Sequence, residues 1–499
     1  MRYLVTGSTG YIGGRLAARL IDAGAGTVRC LVRDPEKLRD VPWAHRAEIM
    51  RGDLLDPASM RAACEGVDVL YFLVHSLSDR DFAATDRRIA LITGQAAREA
   101  GVRRIVYLGG LHPEGGLSEH LASRTEVGEI LLRCGVPTAV LQAAVILGSG
   151  SASFEMLRYL TERLPVMVTP RWVRNRIQPI AVRDVLHFLI GAATLPPEVN
   201  RTFDLGGPEV LTYLDMMQRY AAVAGLPWRR IVPVPVLTPR LSAHWVNIVT
   251  PVPKTIAAPL IESLVHEVVC SEQDILEYVP EPPGGRTGYD RAVQLALTKI
   301  SGGDVETRWS DAAVADMASD SLPTDPQWSG GSVYLDEREQ SSTADPDALW
   351  AVVTGIGGER GWYSFPLAWA VRGWMDRLVG GVGLRRGRRD PDRLQTGDAL
   401  DWWRVERLRD DTGGRTLRLR AEMKVPGRAW LEMTVSPQPG GSRYGQRAVF
   451  IPRGLTGHLY WWSVAPFHGI VFGGMVRNIT RSAERVDRAH RNGEVTGRG

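Results

Sequence analysis

Cysteine is scarce in this sequence, and positive and negative charges nearly balance. The 499 residues contain four cysteines, none in a C-x-x-C pair, namely Cys30, Cys64, Cys134 and Cys270. This spacing argues against a disulfide framework or a zinc site, so we predict no metal site and a reducing, cytoplasmic setting. The formal net charge is only +4, and no long basic run occurs. Nucleic acid is therefore not an expected partner.

Long apolar runs are also rare. The first, at residues 3–5, stops at Gly7 and is too short for the core of a signal peptide. A longer stretch, 454–476, contains no Asp, Glu, Lys or Arg. Its length would allow a bilayer span, but Pro466 and several glycines interrupt it. We therefore expect a buried or interfacial helix, with peripheral membrane contact through 459–476 as the open alternative.

The length and the changes in composition predict separate domains. Residues 1–300 alternate short apolar runs with helical patterns, which is typical of βαβ units, and their irregular part 148–300 is predicted to form a substrate lobe. The segment 301–331 is rich in Asp, Ser, Gly and Pro and is predicted to be a linker. Antiparallel strands and a last helix are predicted within 332–480, followed by a flexible basic tail at 481–499.

The predicted fold of the first domain is a doubly wound α/β sheet. Readable strands are Arg2–Thr6, Val28–Val32, Ala47–Arg51, Val69–Leu73, Arg104–Leu108 and Thr138–Leu141. Helical patterns separate them at Gly13–Ala23, Pro57–Cys64, Asp86–Ala100 and His120–Cys134. Strands that alternate with helices in this way form a parallel sheet with helices on its faces.

A glycine-rich turn follows the first strand and opens the first helix. Gly7 would make the tight turn, Gly10 would let backbone amides approach a pyrophosphate, and Gly13 would let the helix pack on the strand. A purely structural turn is the alternative, whereas a P-loop is excluded because no Gly-Lys-Ser/Thr follows. The predicted cofactor contacts here are Gly7, Thr9, Gly10, Tyr11, Ile12 and Gly13.

The end of the second strand bears on the choice of cofactor. An Arg at this place accommodates the 2′-phosphate of NADP, whereas an acidic residue binds the ribose of NAD. Because Arg33 precedes Asp34, we expect NADP(H) to be preferred over NAD(H). The presence of Asp34 leaves NAD(H) as the alternative cofactor. After the third strand, Asp53 and Leu54 are predicted to meet the adenine. The competing role of helix cap suits Asp56 better, because it stands just before a proline.

These motifs resemble the short-chain dehydrogenase/reductase superfamily, in particular its extended and atypical, NmrA-like members. Two later stretches, 178–185 and 203–208, add to the likeness, which covers roughly residues 1–295. The resemblance implies that residues 143–146 lie near the nicotinamide. It also implies that the cofactor's ribose is lined by Leu73, Val74 and His75.

The usual catalytic residues of that superfamily are replaced. No serine ends the fifth strand, and the Tyr-x-x-x-Lys positions hold His120 and Arg124. Ordinary carbonyl reduction is therefore in doubt. His120 could donate a proton near neutral pH, since its reference pKa is ~6.5, or could be a polar residue without a role. Arg124 could bind a ribose hydroxyl or a phosphate, and Ser118 or Ser123 could supply a hydroxyl.

The second domain resembles the START-like helix-grip fold, in the form of an uncharacterised DUF2867-type module. A strand, a Pro-x-x-Leu-Trp helix, a Gly-Gly-Trp turn, further strands and a last helix carry the likeness. In this fold a curved antiparallel sheet grips the last helix around an apolar cavity. The cavity, or alternatively a packed core, would be lined by Trp362, Trp374, Trp402, Trp403, Trp430, Trp461 and Trp462.

Together these features predict an NADP(H)-dependent oxidoreductase of the atypical short-chain dehydrogenase type. Its substrate would be an apolar small molecule such as a lipid, a quinone or a polyketide-like compound. The alternative is a non-catalytic NADP(H)-binding sensor or scaffold with a hydrophobic-ligand-binding domain.

Overall fold

The chain divides into two compact units, Met1–Gly331 and Ser332–Gly499. The computed structural model describes residues 1–75, 82–111, 118–234, 249–263, 266–301, 332–357, 361–363, 394–411, 414–423 and 425–491.

The first half of unit 1 alternates strands with helices, as predicted. Its elements are β1 (Arg2–Thr6), α1 (Tyr11–Asp22), β2 (Thr27–Val32), β3 (Glu48–Arg51), α2 (Pro57–Cys64), β4 (Val69–Phe72), α3 (Phe82–Glu99), β5 (Arg104–Gly110), α4 (Glu119–Leu132) and β6 (Thr138–Ala143). Their ends differ from the predicted ones by a few residues only. Hydrophobic periodicity sets this pattern, because the strands other than the edge strand β3 are almost wholly buried, while the helices bury one face.

The second half of unit 1 is less regular. Its elements are β7 (Ile146–Leu147), α5 (Ala152–Arg163), β8 (Val166–Pro170), β9 (Arg176–Ile177), β10 (Ile180–Ala181), α6 (Val182–Ala192), β11 (Arg201–Leu205), β12 (Leu211–Thr212), α7 (Tyr213–Val223), β13 (Arg230–Val234), α8 (Lys254–Ser263) and α9 (Tyr289–Ser301). Most of the strands form two-stranded pairs, whereas β11 returns to the main sheet.

The main sheet has seven strands in the order β11-β6-β5-β4-β1-β2-β3, and every neighbouring pair is parallel. The chain leaves β1 in one direction to β2 and β3, then crosses back to β4 on the other side. The strand order therefore reverses between β1 and β4. In doubly wound sheets a ligand binds at this switch point, outside the carboxyl ends of the strands.

The two motif stretches beyond the sheet hold each other in place. Gln178 Nε2 donates a hydrogen bond to the Gly207 carbonyl at 2.8 Å, and the Gly207 amide donates to the Pro179 carbonyl at 3.0 Å. The buried carboxylate of Asp184 accepts from the backbone amide and the hydroxyl of Thr287. These residues thus join β10 and α6 to the end of β11 and to the segment before α9.

Unit 2 is an antiparallel sheet with a long last helix, as the resemblance implied. Its elements are β14 (Tyr334–Ser342), α10 (Pro346–Thr354), β15 (Ala399–Leu400), β16 (Trp403–Asp411), β17 (Gly414–Ala421), β18 (Gly427–Gln438), β19 (Gly441–Pro452) and α11 (Gly454–Arg491). The strand order is β14-β19-β18-β17-β16-β15. Helix α11 packs Met475, Val476 and Ile479 into the apolar core shared with the sheet and α10.

The last helix is longer than the sequence indicated. The prediction of a flexible tail from residue 481 is wrong as far as Arg491, because this segment is the end of α11. Ala483 is fully buried, Glu484 accepts a hydrogen bond from the Ser342 hydroxyl at 3.0 Å, and Asp487 pairs with Arg491. The hydrogen bond from Ser342 links this part of α11 to the end of β14, and the ion pair lies within the helix. Among the described residues, no helix is both long and apolar enough to cross a membrane.

The tryptophans of unit 2 have different environments. Trp362 stacks on Trp402 at 5.6 Å between ring centroids, and its Nε1 donates to Asp401 at 2.8 Å. Trp403 and Trp430 are buried as well, and Trp461 stacks on Tyr334. Trp462 is 59% exposed, so its predicted place in a lining or a core is wrong. Trp374 lies outside the described residues.

Candidate cofactor and substrate site

The glycine loop fills a space that admits no side chains. Gly7 has φ +75°, a left-handed conformation that favours glycine, and a Cβ added there would lie 2.7 Å from the Leu73 carbonyl oxygen. A Cβ on Gly13 would lie 2.2 Å from the Gly7 carbonyl oxygen. The loop is therefore packed against the residues that follow β4, at the switch point of the sheet.

The start of α1 suits an anion. Gly10 is its N-cap and has no side chain to cap the helix, and the first turn carries no acidic residue. The first turn of an α-helix has amides without intrahelical acceptors and a partial positive charge, so it is a favourable site for a pyrophosphate. The loop therefore fits a dinucleotide, as predicted from its glycines.

Arg15 is a buried charged residue next to the glycine loop to which the sequence reasoning gave no role. It is 4% exposed, its guanidinium lies 4.0 Å from the Tyr11 ring centroid, and its Nη1 donates to the Tyr11 carbonyl at 2.9 Å. A Cβ on Gly148 would meet the Tyr11 hydroxyl, so this ring reaches from the loop to the segment beyond β7. The sequence did contain a signal for this residue, because Arg15 directly follows Gly13 and Gly14, with which the glycine motif ends.

Arg33 and Asp34, the two candidates for contact with the cofactor's ribose, have different environments at the end of β2. Asp34 caps the short helical turn Pro35–Leu38, and its carboxylate accepts from the Glu36 amide at 3.2 Å. Arg33 is exposed and makes no hydrogen bond or ion pair with the described residues. The acidic side chain thus has a local structural role, whereas the guanidinium is available to a ligand.

The predicted adenine contact lies at the end of β3. Asp53 is exposed, and one of its oxygens accepts from the Leu55 amide at 2.9 Å. The cap of α2 is Asp56, which accepts from the amides of Ala58 and Ser59, so the structural role weighed for Asp53 belongs to Asp56.

His75, His120 and Arg124 come together on the other side of the switch point. The two imidazole centroids lie 6.5 Å apart, and His120 and Arg124 share one face of α4. Arg124 Nη2 donates to the Leu108 carbonyl at 2.6 Å, and a Cβ on Gly110 would lie 3.5 Å from the Arg124 side chain. The Arg124 side chain therefore lies beside Gly110, at the end of β5.

Both imidazoles are neutral at physiological pH. Desolvation, together with the nearby Arg124 charge, lowers the pKa of His120 to about 3 and that of His75 also to about 3. His75 keeps an exposed surface, whereas His120 is buried. Burial therefore speaks against the predicted proton donation by His120 near neutral pH, because it disfavours the charged imidazole, and the catalytic role of this residue stays a prediction.

The two serines near His120 have different surroundings. The Ser118 hydroxyl accepts from the Leu121 amide at 3.3 Å and caps α4. Ser123 is buried on the same helix. Neither observation assigns a serine to catalysis.

Apolar side chains lie over α4. Helix α8 contacts both α4 and α5. Its Ala257 and Ile261 are buried in a cluster with Met156 and Val252, and Trp172 packs against this cluster. This apolar cluster therefore lies beside α4, the helix that carries His120 and Arg124.

Two family models match the chain. Residues 7–131 match a family described as NAD(P)H-binding, and residues 328–475 match a family described as protein of unknown function DUF2867. The chain is an NAD(P)H-binding Rossmann domain followed by a DUF2867 domain.

The NAD(P)H-binding part has curated relatives of similar extent. The chain is 29% identical over 234 residues to "(4-alkanoyl-5-oxo-2,5-dihydrofuran-3-yl)methyl phosphate reductase" of Streptomyces griseus, covering 45% of this chain and 75% of that protein. It is 26% identical over 236 residues to the NAD(P)H azoreductase of Xenophilus azovorans, covering 46% and 76%. The solved triphenylmethane reductase of Citrobacter sp. aligns with 60% of this chain and 100% of its own at 22% identity, with a TM-score of 0.49.

Proposed function

We propose that this NAD(P)H-binding protein is an NADP(H)-dependent oxidoreductase that reduces an apolar, conjugated acceptor such as a quinone or an unsaturated carbonyl compound. The observation that carries the proposal is the set of groups formed by His75, which follows β4, and by His120 and Arg124 of α4, beside the end of β5. By the resemblance, His120 and the cation Arg124 stand where the superfamily holds its tyrosine and lysine, and the neutral imidazole of His75 lies 6.5 Å from that of His120 between ring centroids. This set suits the stabilisation of an anion better than proton donation.

The chemistry follows from the charge of Arg124. The bound cofactor supplies a hydride. When a hydride adds to one end of a conjugated acceptor, an electron pair moves to the oxygen at the other end, which becomes an enolate or phenolate. Arg124 would stabilise that oxyanion, since a fixed cation in a site shielded from water is most effective where negative charge develops. Water then supplies the proton, so the electrons and atoms balance without a protonated side chain.

The apolar nature of the acceptor has separate support. Met156, Ala257 and Ile261 lie in the cluster that α8 and α5 form beside α4.

The conjugation of the acceptor is supported by the names of the two curated relatives. The dihydrofuranone of one carries a double bond next to its carbonyl, and the other reduces an azo bond. These substrates are properties of those proteins, and here they support a class of acceptor only.

A panel of acceptors tests the function. With NADPH, we expect turnover of a long-chain enone or an alkyl quinone at least about 10²-fold faster than turnover of the matching saturated ketone, because only the conjugated compounds place the oxyanion away from the attacked carbon. Loss of NADPH absorbance measures the rate. Equal rates for both compounds would contradict the proposal. Binding of NADPH without turnover of any acceptor would instead favour a non-catalytic sensor or scaffold. The replacement of the superfamily's Tyr and Lys by His120 and Arg124 is the observation that supports this alternative.

The NADP(H) preference rests on Arg33. We expect NADPH to bind at least tenfold more tightly than NADH, because an ionic pair with the 2′-phosphate is worth ~1.5–3 kcal/mol. Arg33→Ala should remove the difference by weakening NADPH alone. Asp34→Ala is the matched control and should leave NADH binding within about twofold, because Asp34 caps a turn. Fluorescence titration measures both affinities. If Asp34→Ala weakens NADH instead, Asp34 is the ribose ligand.

A further inference from the structure

The first half of α11 exposes a continuous apolar face. Its members, which we call the aromatic face, are Leu455, Leu459, Trp462, Pro466 and Phe467. Trp462 is 59% exposed, Phe467 62% and Leu459 53%, which is far more than a core helix shows. At about 100° per residue the five positions lie on one side of the helix. No charged residue occurs between Gly454 and Val476 to interrupt it.

The opposite side of the same helix packs against the rest of unit 2. Trp461 stacks on Tyr334 at 4.8 Å and on Phe450 at 5.9 Å between ring centroids. Phe472 and Ile479 continue this buried side into the core beyond Pro466. The buried side keeps one direction on both sides of the proline, so the exposed side is continuous as well.

Positive charge follows the apolar side chains on this exposed side. Arg477, Arg481, Arg485 and Arg488, which we call the arginine row, are all exposed and lie on the same side of α11 as the aromatic face. The nearby acids do not cancel this row. Glu484 is half-buried and accepts from Ser342, and Asp487 pairs with Arg491.

We propose that α11 docks unit 2 on an anionic lipid surface, with the aromatic face inserted at the headgroup level and the arginine row on the headgroups. Tryptophan is enriched at membrane interfaces, and an amphipathic helix with aromatic and basic residues lies in the interfacial plane. Arginines near an anionic leaflet add an attraction that salt weakens. The combination of an apolar and a cationic section on one side fits a lipid surface better than an apolar protein partner.

Pro466 fixes the depth of this docking. It has no amide hydrogen, so the Trp462 carbonyl loses its usual helical donor. A carbonyl without a donor is costly in hydrocarbon but is satisfied by water or headgroups. The helix therefore lies at the interface and does not enter the bilayer core.

Flotation of the full chain with vesicles tests the proposal. The vesicles consist of phosphatidylcholine alone or of phosphatidylcholine and phosphatidylserine in equal amounts. We expect binding to the mixed vesicles and at least about tenfold weaker binding to phosphatidylcholine alone, with high salt removing most of the difference. The double variant W462S/F467S should lose about tenfold or more in binding, because two large apolar side chains no longer insert.

Matched variants make the result specific. Trp228 is 73% exposed in unit 1, so Trp228→Ser controls for a merely adhesive tryptophan and should bind like the unchanged chain. R477Q/R481Q should lose binding to the mixed vesicles, whereas R171Q/R174Q, which removes two exposed arginines of unit 1, should not. Unchanged melting temperatures and unchanged NADPH oxidation in solution exclude unfolding as the cause.

Two outcomes would overturn the proposal. One is a lack of binding to the mixed vesicles, or binding that depends on Trp228 and not on Trp462. The other is a dimer in light scattering that W462S/F467S converts to a monomer, because a second copy of the chain would then cover the aromatic face.

Discussion

Replacing Arg124 by methionine is expected to lower kcat for a conjugated acceptor by about 10²–10³-fold, as is found when one donor to a developing oxyanion is removed. The guanidinium is held in place by its hydrogen bond to the Leu108 carbonyl. Methionine keeps much of the apolar stem that packs beside Gly110 but has no charge. We therefore expect the dissociation constant of NADPH to change much less than kcat.

Two further variants give this experiment its controls. Arg124→Lys restores the charge without the planar fork and should recover about tenfold of the lost rate. Arg133→Met removes an exposed arginine at the end of α4, where it pairs with Glu129, and should leave kcat within about twofold. Equal losses in kcat and in NADPH affinity for Arg124→Met would make this residue a ribose ligand, as the sequence alone also allowed.

The pH profile separates oxyanion stabilisation from proton donation by His120. A general acid with a pKa near 6.5 would lose activity as the pH rises from 5 to 8, because its protonated form disappears. The pKa of His120 is lowered to about 3 by burial and by Arg124, so its protonation state is constant over that range. We expect kcat to stay constant between these pH values. A decline that His120→Phe removes would restore the general-acid role.

Much of unit 1 was predictable because its signals are local. Alternating apolar runs predicted the strands from Arg2 to Ala143, and Asp56-Pro57 marked the start of α2. The glycine loop could be read because tight turns and close packing need particular residues at fixed places, and Gly7 and Gly13 meet those needs. The replacement of the superfamily's tyrosine and lysine by His120 and Arg124 could also be read from the sequence, because the motif fixes the spacing of these two positions.

Other properties depend on residues far apart in the chain. The pKa of His120 is set by burial under distant segments and by its neighbour on α4. The exposure of Trp462 follows from the place of Trp461 on Tyr334, more than a hundred residues earlier in the chain. The helical end of α11 depends on Ser342 and the buried Ala483. Composition alone predicted a tail there, because a polar and basic segment carries no sign of its partners.

Replacing Gly13 by alanine is expected to raise the dissociation constant of NADPH by about 10²-fold and to lower the melting temperature. The added Cβ would stand 2.2 Å from the Gly7 carbonyl oxygen and 2.7 Å from its carbonyl carbon, so the backbone of the loop must move. Overpacking of this kind costs typically ~1–3 kcal/mol, and the displaced loop no longer presents its amides to the pyrophosphate.

The expected loss of stability in Gly13→Ala is opposite in sign to the usual effect of this substitution in a helix. Within a helix, exchanging glycine for alanine normally stabilises by up to about 1 kcal/mol, because alanine has the higher helix propensity. Gly469→Ala is the matched control, since it lies in α11 and a Cβ there meets nothing within 4 Å. That variant should leave NADPH binding unchanged and the melting temperature equal or slightly higher. Calorimetric titration and thermal unfolding measure the two quantities. If Gly13→Ala bound NADPH normally, the first turn of α1 would not be the pyrophosphate site, and the cofactor would have to contact the sheet elsewhere along its carboxyl edge.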